Sequence, residues 1–111
     1  MEKTFKEIIK ETRDVITNFE KHEQKKWTPE IMVVELTKQI GELSKQIMMI
    51  ENNYIPQRKI MPEYSYSKEK LGDELSDIIY IVIRIADIYS IDLEKAHLSE
   101  LKKAKEWFKN N

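Results

Sequence analysis

The sequence predicts an all-α protein, a four-helix bundle, and three observations carry that expectation. Turn formers are scarce, with 2 Gly and 3 Pro among 111 residues. Apolar side chains recur at helical spacing along four long segments. Capping residues stand where those segments should begin. The length suits a single domain over residues 1–111. A domain of this size buries only a modest core.

The first helix should start near Thr4, since Thr4 and Glu7 have capping-box spacing. Phe5, Ile8, Ile9, Thr12, Val15, Ile16 and Phe19 then form one apolar stripe. The stripe fades into a polar connector over residues 21–26.

The second helix opens on Thr28-Pro29-Glu30. Thr28 suits the cap, Pro29 the first helical position, and Glu30 the positive end of the helix dipole. Met32, Leu36, Ile40, Leu43, Ile47 and Ile50 line one side, and Glu35, Gln39, Glu42 and Gln46 the neighbouring strip. At ~100° per residue the two strips lie about a quarter turn apart, so the polar strip borders the core. Gly41 sits mid-helix, either tolerated there or leaving room for a close helix or a ligand.

Residues 51–66 read as a loop. They hold Asn52-Asn53, Pro56 and Pro62 and show no clean period. Arg58, Lys59, Tyr54, Tyr64 and Tyr66 lie here, a composition that suits a nucleotide or merely a solvated connector. So long a connection is unusual in a compact domain.

The third helix should begin after Ser67 and run to about Tyr89, with Leu71, Leu75, Ile78, Val82, Ile85 and Tyr89 as its stripe. Ile79, Ile81, Ile83, Ala86 and Ile88 make it apolar on nearly every side. Such a helix is expected to be buried all round. In so small a chain that calls for a second subunit, so the core should be completed by oligomerisation. The fourth helix should be capped by Asp92, with Glu94 in its first turn and Lys102, Lys103, Lys105 and Lys109 toward its end.

Composition excludes several classes of function. With 19 basic and 20 acidic residues the net charge is -1, which gives no footprint for a nucleic acid polymer. Without cysteine there is neither a disulfide framework nor a thiolate zinc site. His22 and His97 are isolated, without metal-ligand spacing. The densest apolar run, Ile78 to Ile83, stops at Arg84, so no membrane span is expected. Lys6, Glu7, Lys10 and Glu11 interrupt any signal-peptide core, which makes the cytoplasm the expected location.

The chemistry concentrates in two short clusters, Gln39-Ile40-Gly41-Glu42-Leu43 and Asp73-Glu74-Leu75-Ser76-Asp77. Gln39 with Glu42, and Glu74 with Asp77, are three apart and share a helix face. Packed side by side, the two helices would aim three carboxylates and an amide into one gap. Such a gap suits a hard divalent cation. The plain alternative is a polar seam within an interaction bundle.

The segments from Leu36 to Ser44 and from Leu71 to Tyr80, with Ile85-Ala86-Asp87-Ile88-Tyr89-Ser90-Ile91-Asp92, resemble the MazG-like all-α nucleoside triphosphate pyrophosphohydrolases. The resemblance covers roughly residues 28–105. The family pattern is Glu-x-x-Glu on one helix and Glu-x-x-Asp on the next. It maps onto Glu42, Glu74 and Asp77, with Gln39 in place of the first acid and Lys38 where another Glu often stands. The resemblance implies a MazG-like bundle, and the all-round apolar third helix makes a homodimer or homotetramer the expected assembly. It also implies Mg²⁺, or alternatively Mn²⁺, as cofactor, and hydrolysis between the α- and β-phosphates of a nucleotide substrate.

Glu42, Glu74 and Asp77 would be the catalytic carboxylates and metal ligands, with Gln39 as a neutral ligand. Glu35, one turn before Gln39, would be either a replacement acid or a surface partner of Lys38. Lys70, Arg58 and Asp87 are the candidates for contacting substrate, each with an ordinary surface or structural role as the alternative. Lys59 and Lys68 are weaker candidates of the same kind. Trp27, Tyr54, Tyr80 and Tyr89 are candidates to stack on a base. The missing acid at Gln39 leaves room for a catalytically impaired relative that binds nucleotide or metal without turnover.

Overall fold

The computed structural model describes residues 2–111, and among them every regular element is helical. The long helices are α1 (Phe5–Glu20), α2 (Pro29–Ile50), α4 (Lys68–Ile88) and α5 (Leu93–Asn110). A short α3 (Pro56–Lys59) and a single 3₁₀ turn (Pro62–Tyr64) lie between α2 and α4. No described helix is long and apolar enough to cross a membrane.

The starts of the helices follow from their caps. Thr4 and Glu7 form the reciprocal capping box of α1. The Thr28 hydroxyl accepts from the Ile31 amide above Pro29, and the Asp92 carboxylate accepts from the Lys95 amide. The Ser67 hydroxyl accepts from the Lys70 amide at 3.1 Å and caps α4. The ends of α2 and α4 share one device. The Asn53 amide donates to the Met48 carbonyl and the Asn52 amide to the Met49 carbonyl, at 2.8 and 3.1 Å. The Ile91 and Ser90 amides repeat the pattern on Ala86 and Asp87 at 2.8 and 3.1 Å. Asn52 and Ser90 sit at φ 60° and 53°, the left-handed turn that closes such an end.

The segment expected as an unbroken loop therefore carries two helical pieces. Pro56 and Pro62 each stand at a helix start, where the missing amide hydrogen costs nothing.

The described chain divides into two compact units, residues 27–82 and residues 2–26 with 83–111, and α4 runs through the boundary. In the second of these, Ile9, Ile16, Ile83 and Ala86 are buried. Arg84, only 4% exposed, donates from both terminal nitrogens to Glu23, at 2.9 and 2.7 Å. That two-pronged pair ties the connector after α1 to α4. Arg13 donates to Asp87 at 2.6 Å and ties α1 to the same helix.

In the unit spanning residues 27–82 the buried side chains are Met32, Gln46, Met49 and Ile81. The expectation that α4 is buried all round does not hold within one chain. Ile81, Ile83 and Ala86 are buried, but Leu75 and Ile79 are 48% and 52% exposed. The stripe of α1 is likewise split, with Ile9 and Ile16 inside and Phe5, Ile8, Val15 and Phe19 exposed. The helices carry more apolar surface than one chain covers.

Candidate functional site

Every acid of the two clusters belongs to the unit formed by residues 27–82. Glu35, Gln39 and Glu42 are half-buried along one strip of α2, and on α4 Glu74 is half-buried while Asp73 and Asp77 are exposed. The Glu74 carboxyl is held above its ordinary pKa. Partial burial is the largest cause, followed by the negative charges of Asp77, Glu42 and Asp73, with Lys45 opposing them. Glu42 lies on α2 and Glu74 on α4, so the negative charge of one motif is felt at the other.

The two carboxylates of the α2 strip are engaged with neighbours on their own helix. Lys45 stands 3.6 Å from Glu42, and Lys38 stands 3.8 Å from Glu35. The Gln39 amide donates to Glu35 at 3.3 Å. Among the described residues no three His, Asp or Glu side chains are gathered tightly enough to hold a metal ion as they stand. The donor set itself suits Mg²⁺, since three carboxylates and one amide oxygen are hard ligands for a hard cation. Glu35 is placed both as the partner of Lys38 and as the acceptor of the Gln39 amide.

The segment between α2 and α4 packs beside these acids. The 3₁₀ turn rests on α2 and α3. The Tyr54 and Tyr64 rings meet edge to face with centroids 4.9 Å apart. The Arg58 guanidinium lies 5.7 Å from the Tyr54 ring and 5.8 Å from the Tyr64 ring. The Lys45 ammonium lies 5.7 Å from the Tyr64 ring. Next along the chain, the Lys70 ammonium donates to the Ser65 hydroxyl at 2.6 Å. The Gln46 amide nitrogen reaches the Ser65 carbonyl at 3.5 Å, and its buried oxygen meets no donor.

Of the residues singled out from the sequence, Glu42, Glu74, Asp77, Gln39, Glu35, Lys70 and Arg58 fall in this one unit. Asp87 falls in the other, where it pairs with Arg13 beside a cavity of about 430 Å³. Lys6, Ser90, Asp92 and Glu94 also line that cavity. Lys59 bonds the Asn52 side chain and Lys68 is exposed. Trp27 and Tyr80 are half-buried, while Tyr89 and His97 are exposed. Lys45 and Gln46 were missing from the candidates. Their signal is visible in the numbering, one turn beyond Glu42 on the polar strip.

No protein-family model matches the chain, and no curated protein matches it.

Proposed function

We propose that this chain is a Mg²⁺-dependent nucleoside triphosphate pyrophosphohydrolase of the MazG-like kind, releasing a nucleoside monophosphate and pyrophosphate. The observation that carries the reading is the electrostatic coupling of Glu42 on α2 to Glu74 on α4, with Asp77 beside it. Negative charges that oppose the ionisation of Glu74 are what a multivalent cation relieves. Glu42, Glu74 and Asp77 are the proposed ligands, and Gln39 can offer an amide oxygen. Bound there, the ion neutralises phosphate charge and lowers the pKa of an attacking water. One of these carboxylates, left free of the ion, would accept the proton of that water.

The active form is proposed to be a homodimer or homotetramer in the cytoplasm, with a MazG-like core completed by another copy. Val33, Ile40 and Ile47 on α2 are 57%, 48% and 45% exposed and stand seven residues apart. Leu36 and Leu43 fall between them, which is the spacing of a helix-packing seam.

A second reading rests on Gln39. It fills the place of an acid and donates to Glu35, so the chain would bind metal or nucleotide without turnover. The deciding assay is pyrophosphate release from a panel of ribo- and deoxyribonucleoside triphosphates, with Mg²⁺ or Mn²⁺ and then with chelator. Metal-dependent release from at least one nucleotide is expected, lost in Glu74→Gln and raised in Gln39→Glu. Folded protein that binds metal but releases nothing would establish the second reading.

A further inference from the structure

None of the side chains of α5 is buried, and from Lys95 onward every residue is exposed. A helix of 18 residues standing in water is marginal by itself, because helical stability comes mostly from packing an apolar face. α5 has such a face. His97, Leu101, Ala104 and Phe108 recur at steps of four, three and four residues, the spacing of a helix-packing seam. Leu98 and Trp107 flank it, and the Trp107 and Phe108 rings meet edge to face at 4.9 Å. Phe108 is 73% exposed, far more than an aromatic ring at the centre of a seam should be in the finished assembly.

The charges along α5 decide what fits this face. Residues 93–101 carry Glu94, Lys95 and Glu100, a net charge of -1 with His97 neutral. Residues 102–110 carry Lys102, Lys103, Lys105, Lys109 and Glu106, a net charge of +3. A second α5 laid antiparallel sets each acidic half on a basic half, whereas a parallel one stacks the two basic halves. The antiparallel arrangement also matches the seam to itself. Leu101 meets the small Ala104 and His97 meets Phe108, each pairing made twice about a two-fold axis. A lipid surface fits less well. Glu94 stands on the stripe, seven residues before Leu101, and Glu100 stands on its edge, so two carboxylates would enter the apolar layer. We propose that α5 is the docking surface for α5 of a second copy of this chain, in an antiparallel two-helix seam. The contact is separate from the α2 stripe, which belongs to the unit of residues 27–82, and it needs neither the metal nor the nucleotide reading.

The chain has no cysteine, so introduced thiols report the contact without background. Full-length His97→Cys and Phe108→Cys, one of them carrying a tag that shifts its mass, are mixed and oxidised. The mixed disulfide should form several-fold faster than either self-linked pair. Ser99→Cys, on the opposite side of α5, should link poorly in every mixture. In sedimentation, Leu101→Asp should weaken self-association about tenfold or more, since it sets an unpaired charge in the seam. Faster self-linkage of Phe108→Cys means a parallel pair and overturns the proposal. Ser99→Cys linking as fast as the mixture means random collision and overturns it too. If Phe108→Cys links best to Ile8→Cys, α1 of the second copy covers the stripe instead. If vesicles of anionic phospholipid bind the wild type and abolish the linkage, the stripe belongs to a lipid surface, and either result overturns the α5 pair. Ile40→Asp, which breaks the α2 stripe, should leave the mixed disulfide as it is on the unmodified α2. Loss of the linkage there would show that α5 has no seam of its own.

Discussion

At the scale of single residues, Glu74 on α4 holds a cost that the fold does not relieve. Glu74 binds its proton more tightly folded than it would unfolded, because partial burial, Asp77, Glu42 and Asp73 all oppose its charge. The sign of the pH dependence follows. Below the ordinary glutamate pKa both states are protonated and nothing is lost. As pH rises past that value the unfolded chain releases its proton first, and stability falls until the raised folded value is passed. Glu74→Gln should therefore be more stable than wild type near neutral pH by about 0.5 kcal/mol, the scale of one like-charge pair on a helix. The difference should vanish at about pH 3, where the carboxyl is neutral in both states. Urea unfolding at the two pH values, in chelator, reads the difference. A variant less stable than wild type at neutral pH would show that Glu74 is a structural partner.

At the scale of helices, Gly41 is the informative position. A Cβ at this position meets nothing within 4 Å, so no helix of its own unit needs the space. Gly41→Ala should then gain about 1 kcal/mol from helix propensity alone. For a domain of this size that raises the melting temperature by roughly 4–8 °C. A lower melting temperature would mean that another copy or a ligand packs there. The helices themselves were legible. Thr4, Thr28, Ser67 and Asp92 announce four starts within a residue or two, because a cap is a local event between a side chain and an amide three residues on. The pieces at Pro56 and Pro62 escaped notice because they are too short to show a period. Of the site, the strip Glu35–Gln39–Glu42 and the pair Glu74–Asp77 could be read as helix faces. The bonds of Arg84 to Glu23 and of Arg13 to Asp87 could not, since they join residues 61 and 74 apart and depend on tertiary packing. The same holds for Arg58 between two tyrosines, since a residue in an aperiodic segment gives no direction.

At the scale of the molecule, apolar faces are left over in both units. Phe5, Ile8, Val15 and Phe19 on α1, and Leu98, Leu101, Trp107 and Phe108 on α5, are exposed in one unit. Val33, Ile40, Ile47, Leu75 and Ile79 are exposed in the other. Isolated exposed leucines need no explanation, but whole stripes on successive helices mark surfaces that associate. If a second copy covers them, as proposed, folding and assembly become a single equilibrium in which mass action enters the stability. The melting temperature should rise across a hundredfold increase in protein concentration, while a value independent of dilution would mean that the chain stands alone. With the stripe of Val33, Ile40 and Ile47 covered by another copy as proposed, robustness would depend on abundance: at low copy number the same sequence would spend more of its time open to proteases.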